Sequence, residues 1–320
     1  MRVLITGVTG FAGGHLAEAL LGTAELHGVS RAGRWPEPLI HLERQIPLHG
    51  CDLADSDAVE GLLRRLKPDR IYHLAGFARV AESFRQPNDA WRDNLGATLS
   101  LYRAIERWGG RPRVLFVSSG LVYGTDGPCG PATPLAPASP YAAAKAAADL
   151  LSYQVTRHPG LDVVRVRPFN QIGPRQSPDF AVARFARQLA RIEAGLLPPV
   201  LETGDLRPSR DLTDVRDMVE AYRLLMESGR TGRAYTVGRG RVVSMQNIVD
   251  RLVKLTRRPV QVRQKLELFR PTDVHAARAD ASDVHDETGW SPRRPLDETL
   301  AEILDYWRAD VEKARLLASA

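Results

Sequence analysis

Two periodicities alternate along the chain. Short runs rich in apolar and β-branched residues occur at Val3 to Ile5, Leu26 to Ser30, Ile71 to Leu74, Val114 to Val117 and Val163 to Val166. Another lies near Ile46 to Leu48, followed by Cys51-Asp52-Leu53. Stretches with helical spacing separate these runs. Phe11, Leu16, Ala19 and Leu20 follow the first, and a helix fits Asp55 to Leu66, stopped by Lys67-Pro68. A long helix spans Asn88 to Trp108, and an alanine-rich one runs from Tyr141 to about Thr156 after the proline-rich loop Pro128 to Pro140. Strand and helix in alternation predict an α/β fold, a Rossmann-type doubly wound parallel sheet with helices on both faces.

Beyond Asn170 the texture changes. Loops lengthen and gain Pro and Arg, while helices near 180–194, 215–228 and 244–256 interleave with short strands such as Ala234 to Val237. This predicts a first domain over residues 1–168 and a smaller α/β lobe over residues 169–320, some of whose elements return to the first domain.

The turn after the first strand reads Gly7-Val8-Thr9-Gly10-Phe11-Ala12-Gly13. Glycines at this spacing let the backbone turn tightly and approach a pyrophosphate, whose charge then meets a helix N-terminus. Gly7, Gly10, Phe11, Ala12 and Gly13 are the first candidate cofactor residues, a plain turn being the alternative. The second strand ends in Ser30-Arg31, with Arg34 close by and no acidic residue. An acid there would bind the adenosine ribose hydroxyls, whereas an arginine accommodates a 2′-phosphate. The chain therefore favours NADP(H), with NAD(H) possible; two solvated loop arginines are the alternative. Asp52 and Leu53 suit the adenine, and Leu74, Ala75 and Gly76 offer small residues where a dinucleotide crosses the sheet edge.

Tyr141 and Lys145 are four residues apart and share a helix face, while Ser119 ends the preceding strand. A ketone being reduced needs a proton at oxygen as hydride arrives at carbon. A tyrosine, with an ordinary pKa of about 10, holds that proton at neutral pH. A nearby lysine cation lowers the phenol's pKa and can also hold the nicotinamide ribose, and a serine hydroxyl can bond the same oxygen. Ser119, Tyr141 and Lys145 are the candidate catalytic residues. An ordinary helix pair is the alternative for the last two.

Gly7 to Gly13, Asn94, Ser119, Tyr141 and Lys145 together resemble the extended short-chain dehydrogenase/reductase family of sugar-nucleotide enzymes, over nearly the whole chain. The resemblance implies a Ser-Tyr-Lys set for the chemistry and a C-terminal lobe that binds a nucleotide sugar. It adds Asn94 and Pro168 to the cofactor residues. Asn170 matches the family's asparagine at the substrate diphosphate. Three stretches, RPFNQIGPRQ from Arg167, TGDLRPSRDLTDVRD from Thr203 and RPTDV from Arg270, are similar to the branch of reductases that act on GDP-4-keto-6-deoxy sugars and to their 4,6-dehydratase relatives. By that resemblance Arg210 pairs with a phosphate, Arg270 and Asp273 sit at the guanosine, and Val182 lies near the base. An ion pair of Arg210 with Asp211 or Asp214 is the alternative. One departure stands out: the dehydratases carry a glutamate where this chain has Leu121, and leucine cannot act as the base that removes water.

The expected activity is NADPH-dependent reduction of the C4 ketone of a GDP-4-keto-6-deoxy-hexose, giving GDP-D-rhamnose from the mannose-derived ketone. The alternatives are an NAD-dependent nucleotide-sugar 4-epimerase and a non-catalytic dinucleotide-sensing protein. Composition agrees with a globular enzyme, since 43% of the 320 residues are hydrophobic and 26% charged. A net charge of +6 fits either an anionic small molecule or an arginine-rich surface. No recognised motif points to nucleic acid, no apolar run approaches the roughly 20 residues of a membrane span, and no His, Cys and acidic cluster has metal-ligand spacing. Two cysteines form no disulfide framework, and Glu18 with the glycines argues against a signal peptide. The expected state is a cytoplasmic homodimer, by resemblance through the helices around 88–108 and 141–156.

Overall fold

The computed structural model describes residues 1–268 and 276–319. Its main sheet has seven strands: β1 (Arg2–Thr6), β2 (Glu25–Ser30), β3 (Leu48–Gly50), β4 (Arg70–His73), β5 (Arg113–Val117), β6 (Val163–Pro168) and β7 (Ala234–Val237). Their order is β7-β6-β5-β4-β1-β2-β3, and every pairing is parallel. The order reverses between β1 and β4. Doubly wound sheets bind ligands at that switch point, beyond the carboxyl ends of the strands.

Strand periodicity of two sends alternate side chains to opposite faces. Val3 and Ile5 of β1 join one core with α1 (Phe11–Leu20). Leu4 joins the other, with α2 (Ser56–Leu66), α3 (Ala97–Trp108) and α4 (Pro140–Arg157). Both faces are covered, which is why the strands read as continuous apolar runs. Helices α5 (Ala181–Glu193), α7 (Met245–Lys254) and α8 (Leu296–Ser319) enclose a separate core containing Leu201, Leu206 and Leu212. Helix α6 (Val215–Ser228) and β7 instead return to the main sheet, packing through Met218, Tyr222 and Leu225.

Two elements depart from the sequence expectation. The third strand begins at Leu48, after Ile46-Pro47, and Cys51 to Leu53 leave the sheet. Pro47 has no N–H for the ladder and enters only as an acceptor, its carbonyl taking the Gly28 N–H at 2.9 Å. The long helix is not uniform either. A helical turn at Pro87–Trp91 passes into a π turn at Arg92–Gly96, where the Ala97 N–H reaches back to the Arg92 carbonyl, and only then into α3. Such turns insert an extra residue and re-aim side chains, often at functional sites.

A buried ion cluster pins α4 to β6. Asp149 is fully buried, with Arg165 Nη1 at 2.6 Å and Arg167 Nη2 at 2.8 Å from Oδ1 and Arg167 Nε at 3.0 Å from Oδ2. Arg165 Nη2 also donates to the Gly232 carbonyl at 2.7 Å, and Arg167 Nη1 to the Tyr123 hydroxyl at 3.3 Å. Burial works to raise the Asp149 pKa, but the two guanidiniums outweigh it and hold the carboxyl below the usual carboxylate range. Removing one member of a buried pair leaves charge uncompensated, at a cost of about 3–5 kcal/mol. Asp149→Asn is therefore expected to lose stability of that order, read as a lower urea midpoint with an unchanged m-value.

Candidate active site

Because all seven strands run the same way, the loops after β1, β4, β5 and β6 open on one edge. The turn after β1 is built around two glycines. Gly7 has φ of +70° and donates its N–H to the Val29 carbonyl at 3.0 Å. A Cβ at Gly13 would stand 2.2 Å from the Gly7 oxygen, so helix α1 starts closer to β1 than any side chain permits. At Gly10, the N-cap, no side chain caps the helix, and its first turn carries no acidic residue. Uncapped N–H groups and the positive end of a helix at the switch point fit a dinucleotide diphosphate.

The residues that follow β2 and β3 are engaged in ion pairs. Arg31, which follows β2, is 62% exposed and makes a forked contact with Asp93, Nη2 to Oδ2 at 3.2 Å and Nη1 to Oδ1 at 3.5 Å. Asp52 pairs with Arg92 through its Oδ2 and accepts the Ala54 N–H at 3.0 Å through Oδ1. Leu53 is buried in the sheet core. Arg34 lies with Thr9, Trp35 and Glu37 around a shallow surface pocket.

Asn94, from the π turn, is 1% exposed, and neither its Oδ1 nor its Nδ2 has a hydrogen-bond partner among the described residues. A buried amide left without partners is costly and marks a place where something else binds. Leu74 and Ala75 continue from β4 to Gly76, where a Cβ would be 2.4 Å from Asn94 Oδ1 and 3.3 Å from Lys145 Nζ. Gly76, Asn94 and Lys145 therefore meet at one point. A chain of hydrogen bonds holds the π turn there. Thr98 donates to the Asn94 carbonyl at 2.6 Å, so its oxygen accepts from His73 Nε2 at 3.1 Å. His73 Nδ1 then accepts from the Thr6 hydroxyl at 2.8 Å, whose oxygen takes the Ala75 N–H at 3.2 Å. Burial lowers the His73 pKa to about 3, which keeps the ring neutral and this donor order intact. The link runs from the end of β1 to Asn94, and neither His73 nor Thr98 was expected at the site. A histidine inside an apolar strand was the available clue.

Ser139 caps α4, its oxygen accepting the Ala142 N–H at 3.1 Å, and Pro140 occupies the first turn. This start places Tyr141 against Phe77 and Ala90. Ser119, at the end of β5, accepts the Leu121 N–H at 3.2 Å, leaving its hydroxyl proton to donate. Its hydroxyl lies close enough to Tyr141 to favour the phenolate. Burial raises the phenol pKa and the nearby Ser119 hydroxyl partly offsets it, so Tyr141 is protonated at neutral pH. The expected lowering by Lys145 is not met. The Lys145 ammonium donates to the Val117 carbonyl at 2.9 Å, and burial lowers its own pKa to about 8, with Asp149 opposing. Ser119, Tyr141 and Lys145 are nonetheless brought together at the same edge as Gly76 and Asn94.

On the second lobe, Asn170 follows Pro168 at the end of β6 and donates Nδ2 to the Asp211 carbonyl at 3.2 Å. Arg210 stands on the neighbouring strand Ser209–Asp214; burial pushes its pKa down and Asp126 opposes this. Its two candidate partners are engaged elsewhere. Asp214 holds Arg216 at 2.7 Å and Thr299 at 2.8 Å, while Asp211 accepts the backbone N–H groups of Arg239, Gly240 and Ala279, each at 2.9 Å. Val182 is 4% exposed and packs into the core under α5 rather than facing an open cleft. Arg270 and Asp273 lie outside the described residues.

Comparison with known proteins places these features in context. A family model described as GDP-mannose 4,6 dehydratase matches residues 4–303. GDP-6-deoxy-D-mannose reductase of Pseudomonas aeruginosa is 34% identical over 98% of this chain and 99% of its own length. Among solved structures, RMD from Pseudomonas aeruginosa complexed with NADPH has a TM-score of 0.83 at 32% identity, covering 97% of this chain and 99% of that one. Thermus thermophilus UDP-glucose 4-epimerase in complex with NAD has a TM-score of 0.86 at 29% identity, covering 96% and 99%.

The electrostatics of Lys145 are directly measurable. In the ligand-free protein its ammonium is expected to titrate near pH 8, well below an ordinary lysine, in NMR of side-chain-labelled lysine. The resonance should vanish in Lys145→Met. Because the folded state binds this proton less tightly than the unfolded chain, the group's cost to stability is full below about pH 8 and falls as pH rises towards 10.5.

Proposed function

The chain belongs to the GDP-mannose 4,6-dehydratase family within the extended short-chain dehydrogenases/reductases, and from that premise we propose that it reduces the C4 ketone of a GDP-4-keto-6-deoxy-hexose with NADPH. Leu121 carries the choice of reductase over dehydratase. It stands two residues beyond Ser119, is 38% exposed, and has no group able to remove a proton from carbon. Arg31 and Arg34 after β2, without an acid, support the phosphorylated cofactor.

The glycine turn and the α1 N-terminus would hold the diphosphate, Asn94, Gly76, Pro168 and Lys145 the nicotinamide ribose end, and Arg31 the 2′-phosphate. Bound there, the reduced nicotinamide supplies hydride. Tyr141 gives its Oη proton to the ketone oxygen as carbon becomes CH–OH. Solvent returns the proton to the phenolate left behind. Ser119 donates a hydrogen bond to the same oxygen and fixes the ketone's distance from Tyr141. On the sugar-nucleotide side, Asn170 and Arg210 would face the diphosphate, and Arg270 and Asp273 the guanosine. Asp211, next to Arg210 in the chain, ties two backbone segments, Arg239-Gly240 and Ala279, to this strand through its buried carboxylate.

The reading includes a cytoplasmic homodimer. Both cysteines are free and buried, and Leu150 and Tyr153 are 57% and 44% exposed on one face of α4, with Trp91 at 40% nearby in sequence to α3. No helix among the described residues is long and apolar enough to cross a membrane.

Purified protein given GDP-4-keto-6-deoxy-mannose is expected to oxidise NADPH stoichiometrically and in preference to NADH. No net oxidation, with NAD retained in the purified protein, would replace the reductase by the 4-epimerase. Tyr141→Phe should lower kcat at least about 100-fold while leaving cofactor affinity unchanged. Leu150→Asp should convert the dimer to monomer in sedimentation velocity; a wild-type monomer would remove the assembly from the reading.

A further inference from the structure

The π turn Arg92–Gly96 does two jobs at once. Its inner residue, Asn94, faces Gly76 and the catalytic edge, while Arg92 and Asp93 reach the adenosine side. There each of the two residues that the strand ends offer to a nucleotide is already matched by a residue of this turn. Arg31 lies in the fork of Asp93, and Asp52 holds Arg92. Arg92 Nη1 also stands 3.6 Å from Asp93 Oδ1, so the four groups form one network of two guanidiniums and two carboxylates with no net charge.

We propose that Asp93 sets how strongly this protein prefers a dinucleotide bearing a 2′-phosphate, by competing with that phosphate for Arg31. The inference rests on the reading of Arg31 as the 2′-phosphate ligand. The geometry supplies the competition. Asp93 is only 14% exposed and is held by the turn, whereas Arg31 is 62% exposed on a long side chain. The carboxylate therefore stays and the guanidinium moves. Arginine uses the same planar fork for a carboxylate and for a phosphate, so it cannot serve both fully. A phosphate arriving at the strand end must draw Arg31 away from Asp93, or share it and sit beside a fixed negative charge. Either way part of the attraction is cancelled. A cofactor with a free 2′-hydroxyl meets no such cost. Asp93 thus works against the selectivity that Arg31 creates and keeps the unphosphorylated cofactor within reach.

Asp93→Asn tests this, since it keeps the shape of the side chain at the turn and removes its charge. Dissociation constants for NADPH and NADH are measured by quenching of protein fluorescence in wild type, Asp93→Asn, Arg31→Ala and the double variant. Asp93→Asn is expected to tighten NADPH binding about two- to fivefold, the range an exposed ion pair of this kind supports, and not to tighten NADH binding. In the Arg31→Ala background the gain should shrink towards onefold, because the group being competed for is gone. Weaker NADPH binding in Asp93→Asn, or equal tightening of both cofactors, overturns the proposal. Wild type that binds neither cofactor overturns the cofactor reading itself, and wild type that binds both while Asp93→Asn leaves their ratio unchanged overturns only the role of Asp93.

Discussion

Seven strands that all run in one direction must release their chain at one edge, and the rest of this molecule depends on that. A parallel sheet is buried on both faces, so its strands can offer polar chemistry only where they end. The ends of β1, β4, β5 and β6 deliver the glycine turn, Gly76, Ser119 and Asn170 to a common line. Helices return the chain to the opposite edge between strands. Tyr141 and Lys145 are the exception, since they come from a helix, and they reach the line because α4 begins there, capped by Ser139.

Polar groups buried near this edge fall into two kinds. Some are satisfied within the protein and act as fixings. Asp149 locks α4 to β6 through Arg165 and Arg167, and the Thr6–His73–Thr98 link ties the glycine turn to the π turn. Asp211 does the same for the strand beside Arg210, gathering three backbone N–H groups. Others have capacity left: the Asn94 amide has no partner among the described residues, and the Lys145 ammonium, bonded to the Val117 carbonyl, is desolvated enough to lower its pKa to about 8. Satisfied groups give rigidity, and unsatisfied ones give a ligand something to bind. The site is held by the first kind and made useful by the second.

The acid–base groups show how far environment overrides simple proximity. A lysine four residues from a tyrosine suggests a depressed phenol pKa, yet burial raises Tyr141 and lowers Lys145. Each shift favours the uncharged form of the group concerned, as desolvation requires. A bound cofactor and sugar would bring charge and hydrogen bonds into this dry space. The ligand-free state is thus one in which Tyr141 holds its proton at neutral pH.

The sequence by itself determined the alternation of strand and helix, the glycine turn, and the Ser119, Tyr141 and Lys145 set. These are local patterns: burial on two faces writes apolar runs, helical spacing places Tyr141 and Lys145 on one face, and close backbone approach demands Gly7 and Gly13. Tertiary structure alone decided what depends on groups far apart in the chain. Asp52 and Arg31 are clear nucleotide candidates in sequence, but only the fold brings Arg92 and Asp93 across to neutralise them, from 40 and 62 residues away. The π turn was invisible because it is a shift in backbone hydrogen bonding that no residue type in Arg92–Gly96 marks. Arg210 could be weighed against Asp211 and Asp214 but not resolved, since the partners of those carboxylates, Gly240, Ala279 and Thr299, come from later segments. Sequence spacing governs which side chains share a face; the direction in which a charged group turns depends on which other charges the folded chain sets beside it.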